Sequence, residues 1–220
     1  MNFELSEEQK MIQQSVERFV QENYDLPKRV ELSSQDPGYS KDYWNSMAEL
    51  GWLGLPFTED VGGFGGNQID TLVIMEQFGK GLVLEPFLAN IVLGGGAIQM
   101  GGSEELKNEM LSSLIEGSKQ LTLAYAEQQS RFDLEDVATS ARKEGEKYII
   151  NGQKSMVLNA ESADHLVVVT RTNGGQVDEE GITLFLVDSD SKGLEKSNFP
   201  TVDGLRASEI NFDNVEVSSE

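Results

Sequence analysis

The chain offers few of the side chains that usually carry out catalysis or bind metals. Its 220 residues include no cysteine, which excludes a thiol nucleophile, a disulfide and a thiolate metal site. The single histidine, His165, cannot assemble a zinc site by itself. The glycine-rich run Gly62–Gly66 lacks the Lys-Ser/Thr ending of a phosphate-binding loop and follows no predicted strand. We therefore predict no metal site, and we interpret Gly62–Gly66 as a turn between helices.

The chain is strongly acidic, with 38 aspartates and glutamates against 17 lysines and arginines and a net charge of −21. Binding to a phosphate backbone needs clustered basic residues, so the charge argues against a nucleic-acid partner. We interpret it as a solvated acidic surface, with steering toward a basic partner or subunit as the alternative. Asp133, Glu135 and Asp136 are accordingly expected in a solvated loop rather than as general bases.

No apolar run approaches the ~18 residues that a membrane-spanning helix requires. The first residues, Met1–Glu7, are acidic and lack the basic region of a signal peptide. These patterns favour a soluble, cytoplasmic protein with no membrane contact. His165 begins an apolar run and is expected to be a surface or edge residue.

Residues 1–118 carry the pattern of amphipathic helices. Ser6 is followed three residues later by Gln9, the spacing of a capping box, and apolar residues recur on one face from Ile12 to Val20. Residues 27–38, which include two prolines, are expected to interrupt the helices. Three adjacent glycines, Gly94–Gly96, predict close packing or a break. The predicted helices are Ser6–Asn23, Ser40–Leu50, Gln68–Lys80, Pro86–Met100 and Ser103–Gly117.

Beyond this point the apolar period becomes that of strands. Alternate residues from Leu121 to Tyr125 are apolar, and Asn151-Gly152 is the strongest short hairpin signal. Further strands are expected at residues 137–141, 148–150, 153–158, 165–170, 182–187, 194–196 and 207–212. We predict an α+β protein, with an all-α helical domain at residues 1–118 and a small antiparallel β-barrel or sandwich at residues 119–220.

Five stretches carry motifs in a fixed order, and they are Leu50–Pro56, Gly62–Gly66, Ala124–Asp133, Tyr148–Ala160 and Asp203–Glu209. In this order they resemble the acyl-CoA dehydrogenase family, which writes the third as T-E-P-x-A-G-S-D and the fourth as I-N-G-x-K-x-W-I-T-N. The resemblance covers essentially all 220 residues, but only the first two of the family's three domains. It implies that the C-terminal helical bundle of the family is absent from this chain.

A narrower resemblance is carried by Gly79–Phe87 and Ala124–Gln129. These two stretches look like the small subunit of pimeloyl-CoA dehydrogenases, which works beside a larger homologous subunit. This resemblance implies a homo- or hetero-oligomer with another acyl-CoA dehydrogenase subunit.

The family resemblance implies FAD-dependent α,β-dehydrogenation of an acyl-CoA thioester, with electron-transfer flavoprotein as the electron acceptor. In most members the glutamate base lies in the C-terminal domain, so no catalytic residue is expected here and the chain alone is expected to be inactive. One alternative is a non-catalytic, FAD-poor partner subunit of a heteromeric dehydrogenase. Another is a flavin monooxygenase or a nitroalkane-oxidase-like relative, because these share the fold.

The resemblance also places one face of a flavin on the middle domain. The family's Thr and Ser of the first motif fall on Ala126 and Phe132, and the Trp and Thr of the second fall on Met156 and Leu158. Apolar groups thus replace hydroxyls and an indole, although backbone N–H donors remain at Ala126 and Leu158. The expected cofactor-binding residues are Leu123, Tyr125, Ala126, Arg131, Phe132, Met156 and Leu158.

Three outcomes stay open for the cofactor: FAD binds weakly, binds only when a partner's C-terminal domain closes over the pyrophosphate, or has been lost. The same apolar side chains would, without a flavin, form a barrel core. Arg131 and Arg206 are candidates to meet a CoA phosphate or the FAD pyrophosphate. Lys154 is expected to pair with surface carboxylates.

Overall fold

The computed structural model describes residues 4–218, and the chain divides into two compact units. The first is Met1–Phe87 with Ser103–Ser118, and the second is Leu88–Gly102 with Lys119–Glu220. The helices are, in chain order, α1 Glu7–Asn23, α2 Leu26–Ser33, α3 Lys41–Glu49, α4 Gln68–Gly81, α5 Gly96–Gly101 and α6 Glu104–Ile115. All but α5 belong to the first unit. No helix within residues 4–218 is long and apolar enough to span a membrane.

Two interlocked capping boxes begin α1 and α4. The Ser6 hydroxyl accepts the backbone N–H of Gln9 at 3.1 Å, and the Gln9 side chain accepts the N–H of Ser6 at 3.0 Å. Asn67 and Asp70 form the same reciprocal pair before α4. The Gln9 amide then donates to the Asp70 carboxylate at 2.9 Å, in a buried contact. The predicted capping box is confirmed, and it also ties α1 to α4.

The helix α2 was not predicted, because Pro27 was interpreted as a breaker. Pro27 instead occupies the first turn of α2, where its missing N–H has no carbonyl partner to lose. The side chain of Asp25 caps this turn by accepting the N–H of Lys28 at 2.7 Å. A proline in the first turn, preceded by a capping residue, therefore starts this helix.

Aromatic side chains fill the core of the first unit. Phe19 and Trp52 meet edge to face at 5.3 Å between ring centroids, and Trp52 meets Phe78 at 6.0 Å. Phe78 also contacts Phe87 at 5.5 Å. These edge-to-face contacts, favourable for the aromatic quadrupole, join α1, α4 and the segments that follow α3 and α4.

A mixed seven-stranded sheet forms most of the second unit. Its strands are β1 Leu121–Ala124, β2 Ser140–Glu144, β3 Lys147–Leu158, β4 His165–Arg171, β5 Ile182–Asp188, β6 Leu194–Pro200 and β7 Arg206–Ser218. The order is β1-β4-β2-β3-β7-β6. Outside this order, β5 also pairs with β4. The prediction of an antiparallel barrel or sandwich was wrong in this respect. Because β1 runs parallel to β4, and β2 meets β4 in parallel at Ser140 and Arg171, the sheet is mixed.

The hairpin predicted at Asn151-Gly152 was also wrong. These residues lie inside β3, and the turn between β2 and β3 is at Gly145-Glu146, where Gly145 has a φ of 65°. Gly152 serves a different purpose, because a Cβ there would lie 2.6 Å from the Cα of Thr139. The glycine permits this close approach of two backbones rather than a reversal of the chain.

The predicted helix Pro86–Met100 is divided in two. Leu88–Gly95 is π-helical and leads into α5. Gly94 packs against β1, since a Cβ on it would lie 3.1 Å from Leu121. The buried amide of Asn90 accepts the N–H of Leu121 at 2.8 Å. The expectation of close packing or a break at the glycines is confirmed, and this segment packs on the sheet.

Candidate functional site

The residues expected to bind the cofactor do not form the core of the sheet. Tyr125, Phe132 and Met156 are 42%, 100% and 50% exposed. Leu123, Ala126 and Leu158 are half-buried, and Arg131 is exposed. The actual core consists of Ala124, Ala141, Ile150, Val157, Ala160, Ala163, Leu166, Val168, Val187, Ile210, Phe212, Val215 and Val217. The alternative that Tyr125, Ala126, Phe132, Met156 and Leu158 form a barrel core was therefore wrong.

The two motif segments come together at the end of β3. Ser155 donates its backbone N–H to the carbonyl oxygen of Ala126 at 2.8 Å. The hydroxyl of Thr122 in β1 donates to the carbonyl oxygen of Leu158 at 2.6 Å. The pairing of β3 with β7 is irregular between Lys154 and Val157, and Met156 within this bulge has a φ of 52°. Met156 is half-exposed in this bulge, and the Ser155–Ala126 hydrogen bond brings its segment beside Tyr125 and Ala126. We call Tyr125, Ala126, Met156 and Leu158 the composite surface.

Arg131 and Phe132 lie on the loop that follows this surface. Arg131 has a φ of 50°, and Phe132 is at the exposed tip. Asp133 and Glu135 are exposed in the same loop. The other arginine expected at a phosphate, Arg206, begins β7, and its carbonyl oxygen accepts the N–H of Asn159 at 2.9 Å.

A buried ion pair supports the composite surface from beneath. Lys154 donates to Glu127 at 2.6 Å, and the two side chains are 0% and 3% exposed. Lys154 also donates to the carbonyl oxygen of Tyr125 at 3.2 Å. The expectation that Lys154 pairs with surface carboxylates was wrong, because the chain turns Lys154 inward from β3 to meet Glu127.

The Glu127 carboxylate also binds the C-terminal end of the loop that Glu127 begins. It accepts the backbone N–H groups of Ala138 at 2.8 Å and Thr139 at 3.0 Å, and the Gln129 amide at 2.7 Å. Burial alone would raise the pKa of Glu127, but hydrogen bonds from Lys154 and these donors lower that pKa to about 2. Glu127 is therefore ionised and fixes residues 127–139 as a closed loop.

Sequence reasoning missed this role of Glu127. It occupies the acidic position of the T-E-P motif, and Lys154 occupies the lysine position of I-N-G-x-K. Both identities persist where the neighbouring flavin-facing side chains differ from the family pattern. That contrast was the available signal that the two residues form a pair.

His165 was expected to be a surface or edge residue, but it begins β4 and pairs with both Leu121 of β1 and Asp188 of β5, so it does not lie at an edge of the sheet. It is half-buried, and its Nε2 lies 3.0 Å from the Asp188 carboxylate across the β4–β5 pair. Within residues 4–218 there is no cluster of three or more His, Cys, Asp or Glu side chains able to hold a metal ion.

Comparison with protein families gives two matches that together cover most of the chain. Residues 6–118 match the acyl-CoA dehydrogenase N-terminal domain, and residues 122–215 match the acyl-CoA dehydrogenase middle domain. The chain belongs to the acyl-CoA dehydrogenase family. The narrower resemblance to the small subunit of pimeloyl-CoA dehydrogenases stays a prediction.

Individual acyl-CoA dehydrogenases match over most of the chain. The probable acyl-CoA dehydrogenase YngJ of Bacillus subtilis (strain 168) is 30% identical over 88% of this chain and 51% of its own length. The mitochondrial isovaleryl-CoA dehydrogenase of Pongo abelii is 31% identical over 93% of this chain and 49% of its own length. The chain thus spans about half the length of the curated relatives it matches.

Solved structures agree with the fold. The acyl-CoA dehydrogenase of Geobacillus kaustophilus superposes with a TM-score of 0.85 at 25% identity, covering 100% of this chain and 58% of that one. A structure described as an FAD-dependent dehydrogenase has a TM-score of 0.82 at 29% identity, covering 99% of this chain and 57% of that one. The family and these relatives imply an FAD cofactor.

The side chains of the composite surface fit the faces of a flavin better than its polar edge. Tyr125 and Met156 offer half-exposed apolar surface on which a ring can pack, and the thioether of Met156 suits an aromatic edge. The side chains of Ala126, Phe132, Met156 and Leu158 carry no N–H or O–H donor. Hydrogen bonds to the ring at these four positions can therefore come only from the backbone.

Proposed function

We propose that these two domains belong to an enzyme that catalyses FAD-dependent α,β-dehydrogenation of an acyl-CoA thioester. The chain would supply one face of the flavin site, while the catalytic base would come from the C-terminal domain of the family. FAD supplies the hydride acceptor in this chemistry. Electron-transfer flavoprotein is the proposed electron acceptor, and the cytoplasmic location expected from the sequence stays a prediction.

The observation that carries the proposal is the union of the two motif segments at the end of β3. Their convergence, through the Ser155–Ala126 hydrogen bond and the Glu127–Lys154 pair, produces an exposed apolar surface with a rigid polar base. A rigid base is what a cofactor site requires, because its contacts must be held before the ligand arrives. Met156 and Tyr125 would pack on the ring, and the backbone at Ala126 and Leu158 would provide hydrogen bonds.

The test is a visible absorption spectrum of the full-length protein purified without added flavin. The proposal predicts a flavin spectrum that bleaches when an acyl-CoA is added under anaerobic conditions. A protein that takes up no FAD, even at saturating concentration, would contradict it. Met156→Asp provides a matched variant, because a charged side chain at this exposed position removes the apolar ring contact without touching the core.

A second candidate is an FAD-poor partner subunit of a heteromeric dehydrogenase. The apolar replacements at Ala126, Phe132 and Leu158 favour it, because each removes a hydroxyl worth ~1 kcal/mol of binding. Hetero-complexes occur among the relatives, one of which is described as the subunit CarC of a caffeyl-CoA reductase-Etf complex of Acetobacterium woodii. Absence of flavin in the isolated protein, but flavin after co-expression with a larger homologue, would favour this second function.

A further inference from the structure

Arg171, at the end of β4, is the centre of a cage of backbone carbonyl oxygens. Its Nη1 donates to the carbonyls of Asp178 at 2.8 Å and Glu180 at 2.7 Å. Its Nη2 donates to the carbonyls of Glu135 at 2.7 Å and Gln176 at 2.9 Å. The side chain is buried, with 8% of the residue exposed. A planar guanidinium can reach four carbonyls in one plane, which the three donors of a lysine cannot do.

The four carbonyls belong to two different loops. Three lie in the loop between β4 and β5, and the fourth, from Glu135, lies in the loop that carries Arg131 and Phe132. The backbone N–H of Val137 reinforces the junction by donating to the carbonyl of Gln176 at 3.0 Å. The Gln176 amide donates to the Asp136 carboxylate at 2.6 Å. Arg171 therefore links the C-terminal part of the loop that carries Arg131 and Phe132 to the loop between β4 and β5.

The backbone of Arg171 connects this cage to the Glu127–Lys154 pair. The N–H of Arg171 donates to the carbonyl of Thr139 at 2.7 Å, and the N–H of Thr139 donates to Glu127 at 3.0 Å. The loop from Glu127 to Thr139 is thus held by the buried Glu127–Lys154 pair and by the buried Arg171, and it carries the fully exposed Phe132. Because Glu127 and Arg171 both anchor the loop, its exposed part around Phe132 can keep one position.

We propose that Arg171 is a positioning residue, which holds the loop carrying Arg131 and Phe132 in the conformation that faces the cofactor. This inference rests on the proposed flavin function, since the loop matters to catalysis only if it borders FAD. Arg171 does not itself touch the composite surface. It acts through the carbonyls of Glu135 and Gln176, so its loss would loosen the loop before it loosens the sheet.

The experiment measures amide hydrogen exchange and FAD affinity in the full-length protein and its variants. Arg171→Met removes the guanidinium, and Arg171→Lys keeps the charge with fewer donors. The matched control is Val168→Ala, a fully buried change on the same strand that weakens the core without touching either loop. Arg171→Met is expected to speed exchange at the Val137 amide by at least about tenfold. Arg171→Lys should give an intermediate rate. In Val168→Ala the exchange rate at Val137 should stay near that of the wild type, once the loss of global stability is taken into account.

Flavin binding gives the second readout. The FAD dissociation constant is expected to rise about tenfold in Arg171→Met, equivalent to ~1.4 kcal/mol, because a displaced loop loses contacts with the cofactor. It should stay unchanged in Val168→Ala. Unchanged exchange at Val137 in Arg171→Met would overturn the inference. So would an equal loss of FAD affinity in the Val168→Ala control.

The two proposals can fail separately. If the wild-type protein binds no FAD, the proposed function fails, while exchange at Val137 still decides whether Arg171 holds the loop. If Arg171→Met does not fold, Arg171→Lys replaces it, and normal exchange at the Val137 amide in Arg171→Lys would then overturn the inference. Gln176→Ala serves as a second control, because it removes the exposed side-chain contact with Asp136 but keeps the carbonyl oxygen that Arg171 and Val137 bind.

Discussion

The ammonium group of Lys154 lies 2.6 Å from the carboxylate of Glu127, and neither side chain is more than 3% exposed. Two opposite charges are thus desolvated together beneath the candidate cofactor surface. Their attraction offsets the loss of hydration only while both partners are present, because a lone buried charge has no compensation. The pair therefore ties stability to the position of the loop from Glu127 to Thr139.

Removing one partner of this pair should destabilise the protein strongly. Lys154→Met is expected to lower the free energy of unfolding by ~3–5 kcal/mol, since it leaves the Glu127 carboxylate buried without a counter-charge. The double variant with Glu127→Gln should lose less than the sum of the single variants. Urea unfolding measures all three, and additive losses would contradict the pairing. The exposed pair Lys147–Glu216 is the control, where Lys147→Met should leave the free energy of unfolding nearly unchanged.

Acid should weaken the protein through Glu127. The pKa of this carboxyl is lowered from 4.5 to about 2 in the folded state. The stability it contributes is therefore present above pH 4.5 and is lost as the pH falls toward 2. The melting temperature of Glu127→Gln should consequently depend less on pH than that of the wild type within this window. Parallel melting curves for the two proteins would contradict the assignment.

A second buried carboxyl, Glu85 in the first unit, should act with the opposite sign. It accepts the Tyr24 hydroxyl and the N–H of Ser40, and burial raises its pKa above 4.5. The stability linked to its protonated form is present below pH 4.5 and is lost as the pH rises through the raised pKa. Glu85→Gln keeps a neutral side chain of the same shape at every pH. As the pH rises, the free energy of unfolding of this variant should therefore increase relative to that of the wild type. Equal pH dependence in urea unfolding would disprove this.

Restoring the family's hydroxyls should strengthen flavin binding. Ala126→Thr and Leu158→Thr each place a hydroxyl where the family's flavin motifs carry one. Each is expected to tighten FAD binding about fivefold, equivalent to ~1 kcal/mol. Fluorescence titration of the full-length protein measures the effect. Leu134→Thr is the control, because Leu134 is 69% exposed but lies outside the replaced positions; an equal gain in this control would point to a non-specific effect.

Gly152 should tolerate no side chain. A Cβ at this position would lie 2.6 Å from both the Cα and the hydroxyl oxygen of Thr139. Gly152→Ala is therefore expected to lower the free energy of unfolding by ~1–3 kcal/mol, the usual range for forcing extra atoms into a packed site. Gly152 also has a φ of 146°, so Gly145→Ala measures the cost of a positive φ by itself, since Gly145 has a φ of 65° and nothing lies within 4 Å of the added Cβ. A harmless Gly152→Ala in thermal unfolding would contradict the close approach.

The helices were predictable because their signals are local. The Ser6–Gln9 spacing placed the start of α1, and Ser40 and Ser103 placed the starts of α3 and α6. Each cap needs only residues three positions apart. Pro27 misled for the same reason, since a proline signals a start or a stop according to its position within one turn.

The sheet and the site depended on contacts that no local pattern encodes. The parallel pairing of β1 with β4 joins Leu121 to His165, residues with no periodic relation in the sequence. Lys154 lies between the polar residues Gln153 and Ser155, so the strand pattern does not indicate that it faces Glu127. Only the match of both residues to the family motifs gave that signal. Arg171 ends an apolar strand and has an ordinary sequence context. Its role depends on two loops whose backbone carbonyls converge only in the folded protein.

The pairing of β7 with both β3 and β6 has a consequence for synthesis. While the ribosome has delivered β3 but not yet β7, the hydrogen-bonding edge of β3 is open along its length, and so is that of β6. Open edges are templates for association with other nascent chains. The sheet can close only when the residues of β7 emerge, so the risk of aggregation is greatest between the synthesis of β3 and that of β7, and a chaperone that holds the growing chain in this period should lower it.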